Sequence, residues 1–582
     1  MRNLFFLLFL LGLAAVAVAS DEPQNEVAIV YTAVDEDGSP EKAAEYRDAD
    51  DSPGGRVSLT LPTGKRGLML LSAHVNTLDD NALRLDWWMD NHLSFTLDHN
   101  EFVHTLNHDP LTNLQAVSDV KVTQFTDTDP GKVHRVRNSQ TALRMDYAVH
   151  GYENLKFFVR YRDQGRKGNH QALVMGHCDT CHITGYTQQK DQTTEDLTAG
   201  AEWTAGRWTL KASHLDRSFE DQAPPLYHTY ADARHPANHS YVFNDRIQFD
   251  LDDGPLPVHA APESEKTEDR IEVGYAWNTG DLAAGWSSAK VTNLDMDLAF
   301  DFDALHAGMV QKIGEKSSIR LKARSYSIAN DSVFIDTVEP VAAAGPYAGQ
   351  TYREKYAFDP DWTRYSAMNR DVRQGVAEFQ HRFNSRSVLK AGVRYTMTER
   401  EICGNCHARP SGDNLPSGHP AIPDETQEGT LYAQWNWRRP GGWKAFLGAE
   451  VSDISRPFMN VDGGCSPDLG TSPAASPMAP TSVQYWEIHD SREYDLSNQP
   501  SMVWEVKAGA SRSLSGNVHF SGFARYRERE NTELDHSEWS GHDMTANLYL
   551  NWMPSETWNL FLGYNFLQDA AESHICMPVW DG

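Results

Sequence analysis

The chain has 582 residues, of which 52 are Lys or Arg and 81 are Asp or Glu, for a net charge of −29. That balance argues against a nucleic-acid partner, which would need a basic surface. After the N-terminal apolar run there is no stretch of about eighteen apolar residues; this excludes a transmembrane helix but not a transmembrane β-barrel, whose strands turn only alternate residues toward lipid.

In chain order, Arg2 precedes an apolar run from Leu4 to Val18 that ends in Ala17-Val18-Ala19. This is the pattern of a cleaved leader, so residues 1–19 are expected to be a signal peptide and the mature protein to reside in the bacterial outer membrane. Residues 20–66, with the stretch DEDGSPEKAAEYRDADDSPGG, are expected to form an acidic, flexible segment. Within it, EVAIVYTAV (26–34) reads either as a strand or as a short docking element.

From residue 67 to 582 the pattern changes to short amphipathic strands. In 194–219, Leu197, Ala199, Ala201 and Trp203 alternate with polar neighbours, Ala205-Gly206 turns, and Trp208, Leu210 and Ala212 resume the alternation. Elsewhere the second face is charged: Arg320, Lys322 and Arg324 alternate with Ile319, Leu321 and Ala323, and Arg525 and Arg527 with Ala524 and Tyr526. Such charges face water, either outside a sandwich or inside a barrel lumen. Tryptophans beside tight turns, and short turns alternating with long polar loops such as 219–242, 330–370 and 453–500, favour the barrel. The expected fold class is therefore all-β, a large antiparallel transmembrane β-barrel of roughly 20–26 strands with long polar loops. At the C-terminus, the barrel either closes at Phe566 or is cut short at Asp581-Gly582.

Six cysteines occur, four of them in two Cys-x-x-Cys-His units. These are Cys178, Cys181 with His182, and Cys403, Cys406 with His407. The spacing suits covalent attachment of haem c, up to two per chain, with the thiols adding to the vinyl groups and His182 and His407 binding the haem iron. Local disulfides or redox dithiols, and zinc ligation, fit the same thiols. No second axial ligand is assigned, although His170 and His177 lie near the first unit and His419 near the second. Cys465 and Cys576 fall in loops and are able to pair with each other. No Gly-rich phosphate loop, Ser/His/Asp elbow or H-E-x-x-H is present, so no catalytic residues are assigned and no enzymatic activity is expected.

With HCDTCH (177–182), CGNCH (403–407), the leader and the many Trp- and Tyr-flanked strands, the chain resembles the MtrB/PioB-type outer-membrane barrels of porin–cytochrome conduits. That resemblance implies an electron-transfer role: a sheath in the lipid bilayer that houses or docks a multihaem c-type cytochrome, periplasmic or extracellular. The Cys-x-x-Cys near the mature N-terminus of that family has no counterpart, since residues 20–66 contain no Cys. Two other readings stand beside it, a general diffusion porin whose cysteines brace its loops and an exported all-β redox protein.

Overall fold

The computed structural model describes residues 25–33, 52–64, 66–77, 79–90, 92–112, 124–176, 182–228, 255–335, 348–350, 354, 362–364, 369–400, 425–439, 441–457, 500–531, 539–555 and 557–573. The signal-peptide expectation for residues 1–19 lies outside them. The fold is all-β: among the described residues 22 strands belong to one sheet, within the expected range. Two compact units divide the chain, the first mostly residues 1–271 and the second mostly 301–337 and 357–582.

The first unit contains β1 (Glu26–Thr32), β2 (Ser52–Pro62), β3 (Gly67–Val75), β4 (Asn81–Met89), β5 (Leu93–Leu106) and β6 (Gln124–Asp127). It continues through β7 (His134–Val149), β8 (Tyr152–Gly176), β9 (His182–Ala205), β10 (Trp208–Asp221), β11 (Leu226–His228) and β12 (Leu256–Val258) to the start of β13 (Ser264–Trp277). Strands β14 (Gly280–Asn293) and β15 (Leu298–Ile313) are divided between the units. The second unit contains β16 (Ser317–Asn330), β17 (Val333–Ile335), β18 (Trp362–Arg364), β19 (Arg370–Asn384), β20 (Ser387–Arg400) and β21 (Glu425–Arg438). It ends with β22 (Lys444–Ser455), β23 (Met502–Ser515), β24 (Val518–Asn531), β25 (Trp539–Ser555) and β26 (Trp558–Ser573).

In the first unit, β1, β2, β3, β4, β5, β7, β8, β9 and β10 pair in that order, each antiparallel to the next. The sheet thus begins before residue 67. Strand β1 pairs Val27 with Val57, and Leu59 of β2 faces Leu71 of β3. Val57, Leu59, Leu71 and Ala73 form a buried apolar cluster, with Leu61, Leu83 and Leu85 packed against it. The local sequence hid β2 because Pro53-Gly54-Gly55 reads as a loop, whereas the partner strand uses the space: a Cβ on Gly54 would collide with the Val75 carbonyl.

In the second unit, β16 and β19 through β26 pair successively, all antiparallel. The period-two pattern gives this wall two faces. On one, Ala377, Val393, Leu431, Val451 and Trp504 lie side by side across five strands. These are apolar, and Leu431 is 60% exposed. On the other, Arg320, Glu378, Gly392, Tyr432, Glu450, Glu505, Arg527, Asp543 and Asp569 form one continuous cross-strand row. Its charges neutralise one another: Arg394 meets Glu450 at 2.6 Å, Glu505 takes Lys507 and Arg527 at 2.9 Å each, and Asp543 takes Arg525 at 2.7 Å. Removing these groups from bulk water is tolerable only because each carboxylate has a cation within reach.

Candidate functional site

The two faces also locate the apolar band on the first unit. Leu197, Ala199, Ala201 and Trp203 of β9 lie on the apolar face, and the tight turn at Gly206 (φ 61°) leads into Trp208 and Leu210 of β10. Past Ala201 and Ala212 the same face turns polar: His214 and Asp216 of β10 stand opposite Ala199 and Leu197, His214 sits between Asp216 (3.2 Å) and Asp269 (2.8 Å), and Glu195 accepts a hydrogen bond from the Tyr161 hydroxyl at 3.1 Å. Strand β9 does not stop there. It runs thirteen residues further, from Glu195 back to His182, paired throughout with β8. At about 3.3 Å per residue these thirteen residues span roughly 40 Å of strand. With 25 and 24 residues, β8 and β9 exceed the other strands of the sheet, which have at most 17.

The first Cys-x-x-Cys-His unit lies at the end of this hairpin. Gly176 pairs with His182, so the chain between them, with Cys178 and Cys181, is a connection of five residues, 177–181. His182 opens β9 and is also the partner of Gln124 in β6, which runs parallel to β9 along its other edge. Cys178, Cys181, His177, Cys403, Cys406, His407, His419, Cys465 and Cys576 lie outside the described residues. The second unit of the motif falls between the end of β20 at Arg400 and the start of β21 at Glu425, at the end of those strands away from their tight turns. Among the described residues no group of three or more His, Cys, Asp or Glu is arranged to hold a metal ion.

His170 is six residues down β8 from Gly176, about 20 Å along the strand. Two imidazoles on one metal ion have their nitrogens only about 4 Å apart. His170 is therefore too far from His182 to share an iron with it.

What the sequence did not reveal is a histidine clasp on the hairpin. His108 places Nδ1 2.6 Å from the Lys132 carbonyl oxygen and Nε2 2.6 Å from Asp127 Oδ2. Both partners accept, so both ring nitrogens must donate and the ring is an imidazolium. The same Asp127 oxygen accepts from Gln171 Nε2 of β8 at 2.6 Å, and Asp127 Oδ1 accepts from the Asp129 amide at 2.7 Å. Gln171 Nε2 also donates to the Asp109 carbonyl at 2.6 Å, and Gln171 Oε1 accepts from the Asp109 amide at 3.1 Å. The clasp therefore ties the long β5–β7 connection to the hairpin through two side chains that are 9% and 3% exposed.

Electrostatics follow from this arrangement. Burial opposes the charge on His108, but the Asp127 hydrogen bond and the Lys132 carbonyl outweigh it and raise its pKa. Burial likewise opposes the Asp127 carboxylate, and the His108 hydrogen bond outweighs it and lowers its pKa. His134 lies against His108 with ring centroids 4.4 Å apart and is 1% exposed. Burial and the neighbouring His108 charge hold it neutral, with its pKa depressed. Its Nε2 is 3.3 Å from Thr187 Oγ1, and its buried Nδ1 has no partner among the described residues. Two more contacts secure the hairpin: the His259 ring nitrogen Nε2 to the Leu173 carbonyl at 2.9 Å, and Gln188 Nε2 to the His259 carbonyl at 3.0 Å. The only sequence signal for the clasp was the density of histidine between His99 and His134.

The chain thus has a large, mainly antiparallel all-β fold with one unusually long hairpin. No known protein family and no curated protein matches the sequence. Among solved structures it is similar to the FrpB iron transporter of Neisseria meningitidis (F5-1 variant, apoprotein form), at 12% identity and a TM-score of 0.47, over 95% of this chain and 78% of that one. It is also similar to BauA, the ferric preacinetobactin receptor of Acinetobacter baumannii, at 11% identity and 0.43, over 95% and 80%. For Fiu, the ferric-catecholate import receptor of E. coli K12, the figures are 9% and 0.46, over 88% and 74%. These likenesses are too distant to carry a function to this chain.

Proposed function

We propose that the chain is an outer-membrane β-barrel that forms the sheath of an electron-transfer conduit, housing or docking a multihaem c-type cytochrome. In this reading it also carries up to two haems c of its own, on Cys178, Cys181 and His182 and on Cys403, Cys406 and His407. The observation that supports it is the position of His182, at the end of a hairpin that runs thirteen residues, roughly 40 Å of strand, past Glu195. The residues fit the group in that five residues close the connection between the paired Gly176 and His182, and the thiols belong to that connection. When bound there, haem would supply one-electron transfer at a place a soluble partner can reach.

The chain's own residues then do three things. The exposed apolar face, with Leu431 and Val393, seats the wall in lipid. Along the cross-strand row of the opposite face each carboxylate has a cation, so a partner meets a polar surface there with little net field. The hairpin, clasped by His108 and Asp127, fixes the first motif relative to the wall. Two haems do not bridge a band of about 25 Å, which is why a multihaem partner is part of the reading. No bond-making step is required, so the role is not enzymatic.

The test is an in-gel haem stain and pyridine haemochrome spectrum of the protein purified from membranes of a host that matures c-type cytochromes. Covalent haem that is lost in His182→Ala/His407→Ala is the expected result. Absence of covalent haem in the unaltered protein would overturn the haem assignment and favour the diffusion-porin reading, with the cysteines as disulfides.

A further inference from the structure

A concavity of about 600 Å³ opens on the polar face of the second unit, beside its tight turns. Four cations line it: Arg382 near the end of β19, Arg386 in the β19–β20 turn, Arg438 at the end of β21 and Lys444 at the start of β22. Among the described residues no carboxylate lines it, in a chain where acidic residues outnumber basic ones 81 to 52. Along the rest of this face each carboxylate of the row has a cation, whereas among the described residues none of these four cations has an ion-pair partner.

The backbone holds them together. Arg438 and Lys444 are directly opposite each other in the β21–β22 ladder. Like charges at that position repel and destabilise the pair unless a counter-charge is supplied. The turns are not free to splay apart: the Arg438 amide donates to the Arg386 carbonyl at 2.7 Å, the Arg382 amide to the Lys316 carbonyl at 2.7 Å, and the Arg386 amide to Asn384 Oδ1 at 2.8 Å. Gly509, Ser511, Ser521 and Gly522 form a floor of small residues, which leaves room between the cations. Guanidinium forks pair with two oxygens of a phosphate or carboxylate at once, and a concavity of this size suits a small molecule.

We infer that this concavity is a binding site for a small, multiply charged oxyanion bearing phosphoryl or carboxylate groups. It supplies the counter-charge that the protein omits. The site is independent of the cysteine motifs and stands whether or not haem is attached. Its position on the polar face, opposite the lipid-facing residues, favours a dissolved anion over a lipid headgroup of the same chemistry.

The experiment is isothermal titration of the full-length protein in neutral detergent with inorganic pyrophosphate at low ionic strength. Expected are saturable binding of one pyrophosphate per chain, weakening as salt is raised, and a loss of at least about tenfold in Arg438→Gln/Lys444→Gln, the worth of one charge-assisted contact. Arg386→Gln, on an exposed turn, is a second variant whose loss of affinity does not depend on the ladder. Arg320→Gln, elsewhere on the same face, should bind as the unaltered protein does. Repeating the titration in nanodiscs of phosphatidylcholine with and without phosphatidylglycerol separates the sources. Equal affinity in both supports a dissolved anion, and competition by phosphatidylglycerol overturns that assignment. Absence of saturable binding in the unaltered protein, or binding unchanged in both variants, overturns the site.

Discussion

Replacing His108 by Ala tests whether the clasp holds the extended hairpin to the long connection before β7. The substitution removes two hydrogen bonds of 2.6 Å, both donated by the charged ring, and among the described residues leaves the Asp127 carboxylate, 3% exposed, with Gln171 and the Asp129 amide. Deleting one partner of a buried, hydrogen-bonded charge pair costs about 3 kcal/mol. The loss is local, because the clasp joins one connection to one hairpin, so the assay is amide hydrogen exchange rather than global unfolding. At about pH 6, exchange of the β6 amides should accelerate about a hundredfold, the equivalent of about 3 kcal/mol at 1.36 per decade. Peptides from β20 and β21 should not change.

The pH dependence supplies an internal control. The pKa of His108 is raised on folding, so its contribution is full below the ordinary histidine value and is lost as pH rises through the raised one. The pKa of Asp127 is lowered, so its contribution is full above the ordinary carboxylate value and is lost as pH falls through the lowered one. The clasp is strongest between those two ordinary values. The difference between the unaltered protein and His108→Ala should therefore narrow as pH rises from the ordinary histidine value through the raised one. Unchanged exchange in β6, or a difference that persists undiminished at high pH, would refute the reasoning.

Two further outcomes follow from the faces of the wall. Leu431→Arg puts a charge at the centre of the exposed apolar row and should destabilise folding into liposomes by about 2–4 kcal/mol, measured by denaturant titration, whereas Gln434→Arg on the polar face should cost far less. Glu505→Gln leaves Arg527 with Asp543 at 3.9 Å and Lys507 without its 2.9 Å partner, so it should lower stability in the same titration by about 1–3 kcal/mol. Glu505→Gln/Lys507→Gln should recover part of that loss, since the uncompensated cation is gone.

The sequence by itself determined the fold class and the two faces. A period of two is a local property, so Ile319, Leu321 and Ala323 could be assigned to one side, and Arg320, Lys322 and Arg324 to the other, before any partner was known. Tight turns such as Ala205-Gly206 were equally legible, because a glycine at φ 61° is a local requirement. The Cys-x-x-Cys-His units were visible for the same reason, although what they hold depends on chemistry the described residues do not reach.

Tertiary structure alone decided the rest. Strand β2 exists because Leu59 meets Leu71 and Val57 meets Val27, and no window around Pro53-Gly54-Gly55 contains those partners. His108, Asp127 and Gln171 are separated by 19 and 44 residues and become one unit only when β8 passes beneath the long connection. Arg382, Arg386, Arg438 and Lys444 likewise come from separate strands and turns, and only the register of β21 on β22 sets Arg438 against Lys444. Pattern along a chain fixes which way a side chain points; which charges it will face is fixed by register, and register is a property of pairs of strands.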